Sequence, residues 1–86
     1  MLNEGIPSML LFPNPARDQV SLYLPSTQKA FFELQDLLGQ KICNLQPVTE
    51  NPEFVSIDIS GLPSGAYFLK VSFEGTYVIK KLIIAR

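Results

Sequence analysis

Gly61-Leu62-Pro63-Ser64-Gly65-Ala66-Tyr67-Phe68-Leu69-Lys70-Val71-Ser72-Phe73 is the stretch that decides the fold. Its first half is a corner. Pro63 and Gly65 set the turn, and Leu62 is placed to plug a core. Its second half alternates, with Tyr67, Leu69, Val71 and Phe73 on one side and Phe68, Lys70 and Ser72 on the other. That is the period of a strand with one buried face. The Tyr67 hydroxyl is expected to bond back to nearby backbone, a corner device of β-sandwiches. Turn geometry accounts for Leu62, Pro63 and Gly65 more simply than a recognition loop does.

Working outward, short apolar runs alternate with turn signals at the spacing of a sandwich or barrel. Towards the C-terminus, Glu74-Gly75 reads as a two-residue hairpin loop. Thr76 to Ala85 follows as the last strand, and Lys80-Lys81 breaks its alternation. A bulge there is expected to put Ile79, Leu82 and Ile84 on one face. Towards the N-terminus, Val55, Ile57 and Ile59 form an inward row with Ser56 and Asp58 outward. Gln46 to Glu53, with Pro47 and Pro52, reads as a polar loop. Gln40 to about Leu45 pairs with Lys29 to Gln35. In that hairpin Ala30, Phe32 and Leu34 share one side, and Phe31, Glu33 and Gln35 the other. Asp36 and Gly39 bracket its turn, with Gly39 at positive φ. Gln19 to Leu24 is a further strand, with Val20, Leu22 and Leu24 on one face. Met9-Leu10-Leu11-Phe12 is a first strand stopped by Pro13. Asn14-Pro15-Ala16-Arg17 reads as a type I turn, with the Asn14 side chain bonding a backbone amide two residues on. The sum is an all-β, immunoglobulin-like β-sandwich of about seven mostly antiparallel strands over residues 9–86. Residues 1–8 read as a tail or linker from an upstream region.

Composition narrows the function. Eighty-six residues with 47% hydrophobic and only 17% charged content make one packed domain. Net charge is −1, and only Lys80 and Lys81 cluster among the basic residues, so no basic face exists for nucleic acid. There is no histidine and one cysteine, Cys43, which rules out an intrachain disulfide, a structural zinc site and Ser-His-Asp or Cys-His catalysis. Cys43 has no neighbouring cation to hold a thiolate and reads as a passive small residue. Asp36, Asp58 and Glu33 read as solvated or capping carboxylates. Neither an enzyme nor a cofactor is expected. Residues 1–5 lack the pattern of a signal peptide, so an export signal is expected on sequence further upstream. Lys80-Lys81 reads equally as an edge guard against aggregation and as a handle for strand addition, which leaves edge pairing between two copies open.

Four elements in order carry a resemblance: Phe12-Pro13-Asn14-Pro15-Ala16-Arg17-Asp18, Leu34-Gln35-Asp36-Leu37-Leu38-Gly39-Gln40-Lys41, Asp58-Ile59-Ser60-Gly61-Leu62-Pro63-Ser64-Gly65-Ala66-Tyr67 and Lys80-Lys81-Leu82-Ile83-Ile84. Together they resemble the type IX (Por) secretion system C-terminal sorting domain, type A. Gln35 and Gln40 depart from the residues most frequent there. The resemblance implies an address label at the end of a Gram-negative cargo protein. Such a label directs its cargo from the periplasm across the outer membrane to the cell surface or beyond. It implies as partners the type IX machinery, a covalently linked upstream cargo and a sortase-like surface protease that removes the domain. Cleavage would fall upstream of the first strand, around or before residues 1–9. The motif positions Pro13, Asn14, Pro15, Asp36, Gly39, Leu62, Pro63, Gly65, Tyr67, Lys80, Lys81 and Leu82 are the candidate recognition residues. The competing reading is an extracellular Ig-like binding or adhesion module using Tyr23, Phe31, Phe68 and Tyr77.

Overall fold

A computed structural model describes residues 10–23, 30–50, 54–73 and 75–86. Its strands in chain order are β1 (Leu11–Phe12), β2 (Gln19–Tyr23), β3 (Ala30–Gln35), β4 (Lys41–Leu45), β5 (Pro47–Glu50), β6 (Phe54–Asp58), β7 (Gly65–Phe73) and β8 (Thr76–Ile84). Two antiparallel four-stranded sheets face each other, ordered β1-β2-β6-β5 and β4-β3-β7-β8. This is the expected immunoglobulin-like sandwich.

The alternating rows meet between the sheets. Val20, Leu22, Ile57, Leu34, Leu69, Val71 and Leu82 are completely buried, with Ile59 and Ile84 almost so. Each contributes about 1.5–3 kcal/mol by leaving water, the main favourable term of folding. Outside the core, strand pairing places Tyr23 opposite Phe54, and Tyr23 stacks within 5.0 Å of the Phe12 ring. Ser21 and Ser56 share a 2.7 Å hydrogen bond across β2 and β6, which explains a buried serine on the outer face.

Four local expectations change. The segment expected to be a polar loop contains β5, an edge strand beside β6. A proline at the first position of an edge strand forfeits no central ladder bond. Gln46 alone separates β4 from β5, so the chain passes directly from one sheet to the other. No bulge interrupts β8, whose register against β7 runs unbroken from Thr76 to Ile84. Lys80 therefore occupies the inward row and Ile79 the outer face, where it is 44% exposed. The aliphatic stem of Lys80 can lie along apolar surface while its ammonium reaches water, so regular pairing costs little. Gln35 is buried, beside a register shift at Leu34/Gln35, and donates its side-chain amide to Glu33. The fourth change concerns Asn14 and belongs to the site. Met9, Leu24, Lys29 and Glu74 lie outside the described residues.

Candidate recognition surface

Strand register gathers the four sequence elements at one end of the sandwich. Gln19 at the start of β2 pairs with Asp58 at the end of β6, and Gln35 at the end of β3 pairs with Phe68 near the start of β7. Gly65 pairs with Ile84 at the end of β8. Residues 13–18, 36–40, 59–65 and 85–86 therefore all emerge on the same side.

The first and last elements are in direct contact. Asn14 does not bond its own turn. Its side-chain amide donates to the Lys81 carbonyl at 3.0 Å, and its side-chain oxygen accepts from the Ile83 N–H at 2.9 Å. Two residues on, the Ala16 N–H donates to the Ile83 carbonyl, and the Ala85 N–H donates to the Ala16 carbonyl, each at 2.8 Å. Ala16 is completely buried and forms a parallel bridge with Ile84. The chain from Leu11 to Ala16 thus begins paired to β2 in one sheet and ends paired to β8 in the other. Phe12–Pro13 and Asn14–Pro15 are both cis peptides. Residues 13–15 form a bend and Ala16 a bridge to β8, in place of the expected type I turn. Pro13 and Pro15 are exposed beside the clamp.

Arg86 fastens the corner to the same place. Its guanidinium donates to Asp18 Oδ1 at 3.0 Å, to the Ile59 carbonyl at 2.6 Å and to the Leu62 carbonyl at 2.8 Å. Its backbone N–H donates to Ser64 Oγ at 3.2 Å. The fork of the guanidinium suits such convergent acceptors. Beside it, the Ser60 backbone N–H donates to the Asp58 carboxylate at 3.0 Å. That bond, then the Ser60 side chain, and more weakly the Arg86 charge hold the Asp58 pKa below its ordinary value.

The other two elements are built as their residue types require. The Tyr67 hydroxyl donates to the Pro63 carbonyl at 2.7 Å, the bond expected of the corner. Gly65 lies against the Tyr67 ring, and Leu62 packs on the core. Asp36 accepts from the Leu38 and Gln40 N–H groups, both at 2.9 Å, and Gly39 takes φ +84°. That φ is uncommon for residues with a Cβ.

The candidate residues therefore divide. Asp36, Gly39, Leu62, Gly65 and Tyr67 shape turns, and Leu82 is completely buried in the core. Pro13, Asn14, Pro15, Pro63 and Lys81 are exposed, and Lys80 is half-buried. Sequence reasoning missed Ala16, Asp18 and Arg86. Ala16 and Asp18 lie inside the first motif element, and the signal that links Asp18 to Arg86, 68 positions apart, is opposite charge.

Away from this end the surface is plainer. Phe31 and Tyr77 flank Ser72 on the outer face of β3, β7 and β8, with Lys70 Nζ 4.6 Å from the Tyr77 ring centroid. A shallow cleft lies beside Phe31, Leu45 and Pro47, where β4 crosses to β5. Among the described residues no cluster of His, Cys, Asp or Glu could hold a metal ion.

A family model described as a secretion system C-terminal sorting domain matches residues 10–85. The chain belongs to that family, the sorting signal of type IX secretion, which directs export across the outer membrane. It is also 33% identical over 92 residues to karilysin of Tannerella forsythia, a match covering 94% of this chain and 19% of karilysin. The chain thus spans about a fifth of that relative's length.

Proposed function

We propose that this domain is a folded address label whose motif-bearing end is what the type IX machinery reads. Exposed Pro13, Pro15, Pro63 and Lys81, with half-buried Lys80, form the contact surface. Asp36, Gly39, Leu62, Gly65, Tyr67 and Leu82 hold it in shape, and Asn14 does both. One observation carries this reading: the Asn14 carboxamide binds the backbone of Lys81 and Ile83, so elements from opposite ends of the chain make one surface. The domain makes and breaks no bond of its own. Residues 1–8 act as a linker to an upstream cargo, and a sortase-like surface protease cuts at or before that linker.

The test is a fusion of a signal peptide, a reporter and this domain in a type IX-competent Gram-negative cell. The reporter should reach the surface, and should stay in the periplasm of an otherwise identical cell lacking the secretion machinery. Equal display in both cells would refute the assignment. Release of the reporter free of the domain, with its new C-terminus mapped by mass spectrometry, tests the cleavage step. A cut inside residues 10–86 would contradict it.

A further inference from the structure

β1 and β8 are edge strands of opposite sheets. Between them lies an open hollow of about 380 Å³, lined by Leu10, Leu11, Asn14, Ile79, Lys80 and Lys81. Ligand sites span roughly 300–1,000 Å³, so this one has room for a short segment and not for a folded element. Its lining divides by chemistry. Leu10, 62% exposed, and Ile79 make an apolar lip. Lys80 is a cation in the inward row, opposite the completely buried Leu69, and Lys81 is exposed on the outer face. Consecutive strand residues point to opposite faces, so the two ammonium groups reach the hollow from either side of β8. No carboxylate lines it, and the ion pair among the described residues is that of Arg86 with Asp18. Ile83 and Lys81 direct backbone groups away from β7 towards Asn14. Because β8 pairs with β7 without a shift, alternation gives the Ile79 N–H the same direction. The hollow thus presents an amide donor and two cations beside apolar side chains.

We propose that this hollow receives a short acidic segment of the type IX machinery, an aspartate or glutamate with an apolar residue beside it. The inference rests on the export reading and names what that surface takes. The partner's carboxylate lies between Lys80 and Lys81 and accepts from the Ile79 N–H. Its apolar neighbour covers Leu10 and Ile79. That cover excludes water, and an ammonium holds a carboxylate more strongly where water is excluded. Asn14 already occupies the edge at Lys81 and Ile83, so the segment stops short of it and needs no strand pairing. Charge sets the class of partner. Recognition of an anionic membrane takes clusters of roughly 4–8 Lys and Arg, whereas this hollow offers two lysines on opposite faces of one strand. Two cations placed so close suit one carboxylate.

Surface display of the reporter fusion in type IX-competent cells tests it through Leu10, which lies outside the contact residues named above. Leu10→Asp sets a carboxylate in the hollow, where it takes the lysines and repels an acidic partner. Display should fall about tenfold. Leu10→Lys should display within about twofold of wild type. Both domains should melt as wild type does, because position 10 is exposed. A carbodiimide joins an ammonium to a carboxylate in contact with it. In envelopes from cells exporting the wild-type fusion it should link Lys80 or Lys81 to an aspartate or glutamate of a machinery protein, located by mass spectrometry. Changing that acid to lysine should lower display, and pairing the change with Lys81→Glu should restore it. Normal display of the wild type with equal display of the two Leu10 variants would overturn this inference alone. So would links only to a second copy of the domain, or no link in exporting envelopes. A wild-type fusion that stays in the periplasm would overturn the export reading and this inference with it.

Discussion

Asn14 and Ile83, 69 positions apart in the chain, are joined by a 2.9 Å hydrogen bond in which the Ile83 N–H donates to the Asn14 side-chain oxygen. With the Asn14 amide on the Lys81 carbonyl, one side chain completes both sides of a strand edge. Asn14→Ala should lower stability by about 1–2 kcal/mol, the loss of two partly solvated hydrogen bonds. Asn14→Asp keeps the acceptor but turns a carboxylate towards the Lys81 carbonyl, and should be no more stable than the alanine variant. Urea unfolding of the three proteins checks the order.

Arg86 gathers charge-assisted bonds to Asp18 and to the Ile59 and Leu62 carbonyls. Its side chain is 27% exposed while that of Asp18 is 73% exposed, so the carbonyls matter more than the surface ion pair. Arg86→Ala should cost about 1.5–3 kcal/mol. Asp18→Asn should cost under about 1 kcal/mol. Arg86→Lys should recover only part of the loss, because one ammonium cannot reproduce the fork. Thermal melts of these variants decide between carbonyl and carboxylate as the main partner.

Asp58 predicts a pH response. Its folded pKa lies below 3.8, mainly through the Ser60 N–H, so its contribution is fully present above the unfolded pKa. That contribution fades as pH falls from 3.8 through the lower folded value, because the unfolded chain takes up the proton first. Asp58→Asn should therefore be less stable than wild type at neutral pH, and the gap should narrow in acid. Melting temperatures at pH 7, 4 and 2.5 measure it; a constant gap would contradict it.

Much of the fold was legible because its signals are local. Tyr67, Leu69, Val71 and Phe73 alternate as a half-buried strand must, and Gly39 follows Asp36 as that turn requires. Tyr67 at the corner predicts a hydroxyl bonded to nearby backbone, and the Pro63 carbonyl takes that bond. What escaped depended on topology. Local turn chemistry gave Asn14 a partner two residues away, whereas the strand that switches sheets carries it to β8. Arg86 looked like one scattered base until Asp18, Ile59 and Leu62 were brought around it. The interruption at Lys80-Lys81 resembles a bulge in sequence because side-chain polarity does not fix side-chain direction. Backbone pairing with β7 overrides that where the lysine stem can lie flat. At Pro47 the prolines masked an edge strand, which tolerates a missing donor that a central strand would not.

The central claim is that export depends on the surface made where β8 meets the Pro13–Ala16 segment, beyond mere possession of a folded domain. The most direct measurement is surface display of the reporter fusion carrying Lys81→Glu, read beside the melting temperature of the same domain. The account predicts a reporter held in the periplasm and a stability within about 1 kcal/mol of wild type, as expected for a substitution at an exposed position. Display at the wild-type level from that charge-reversed variant would contradict it.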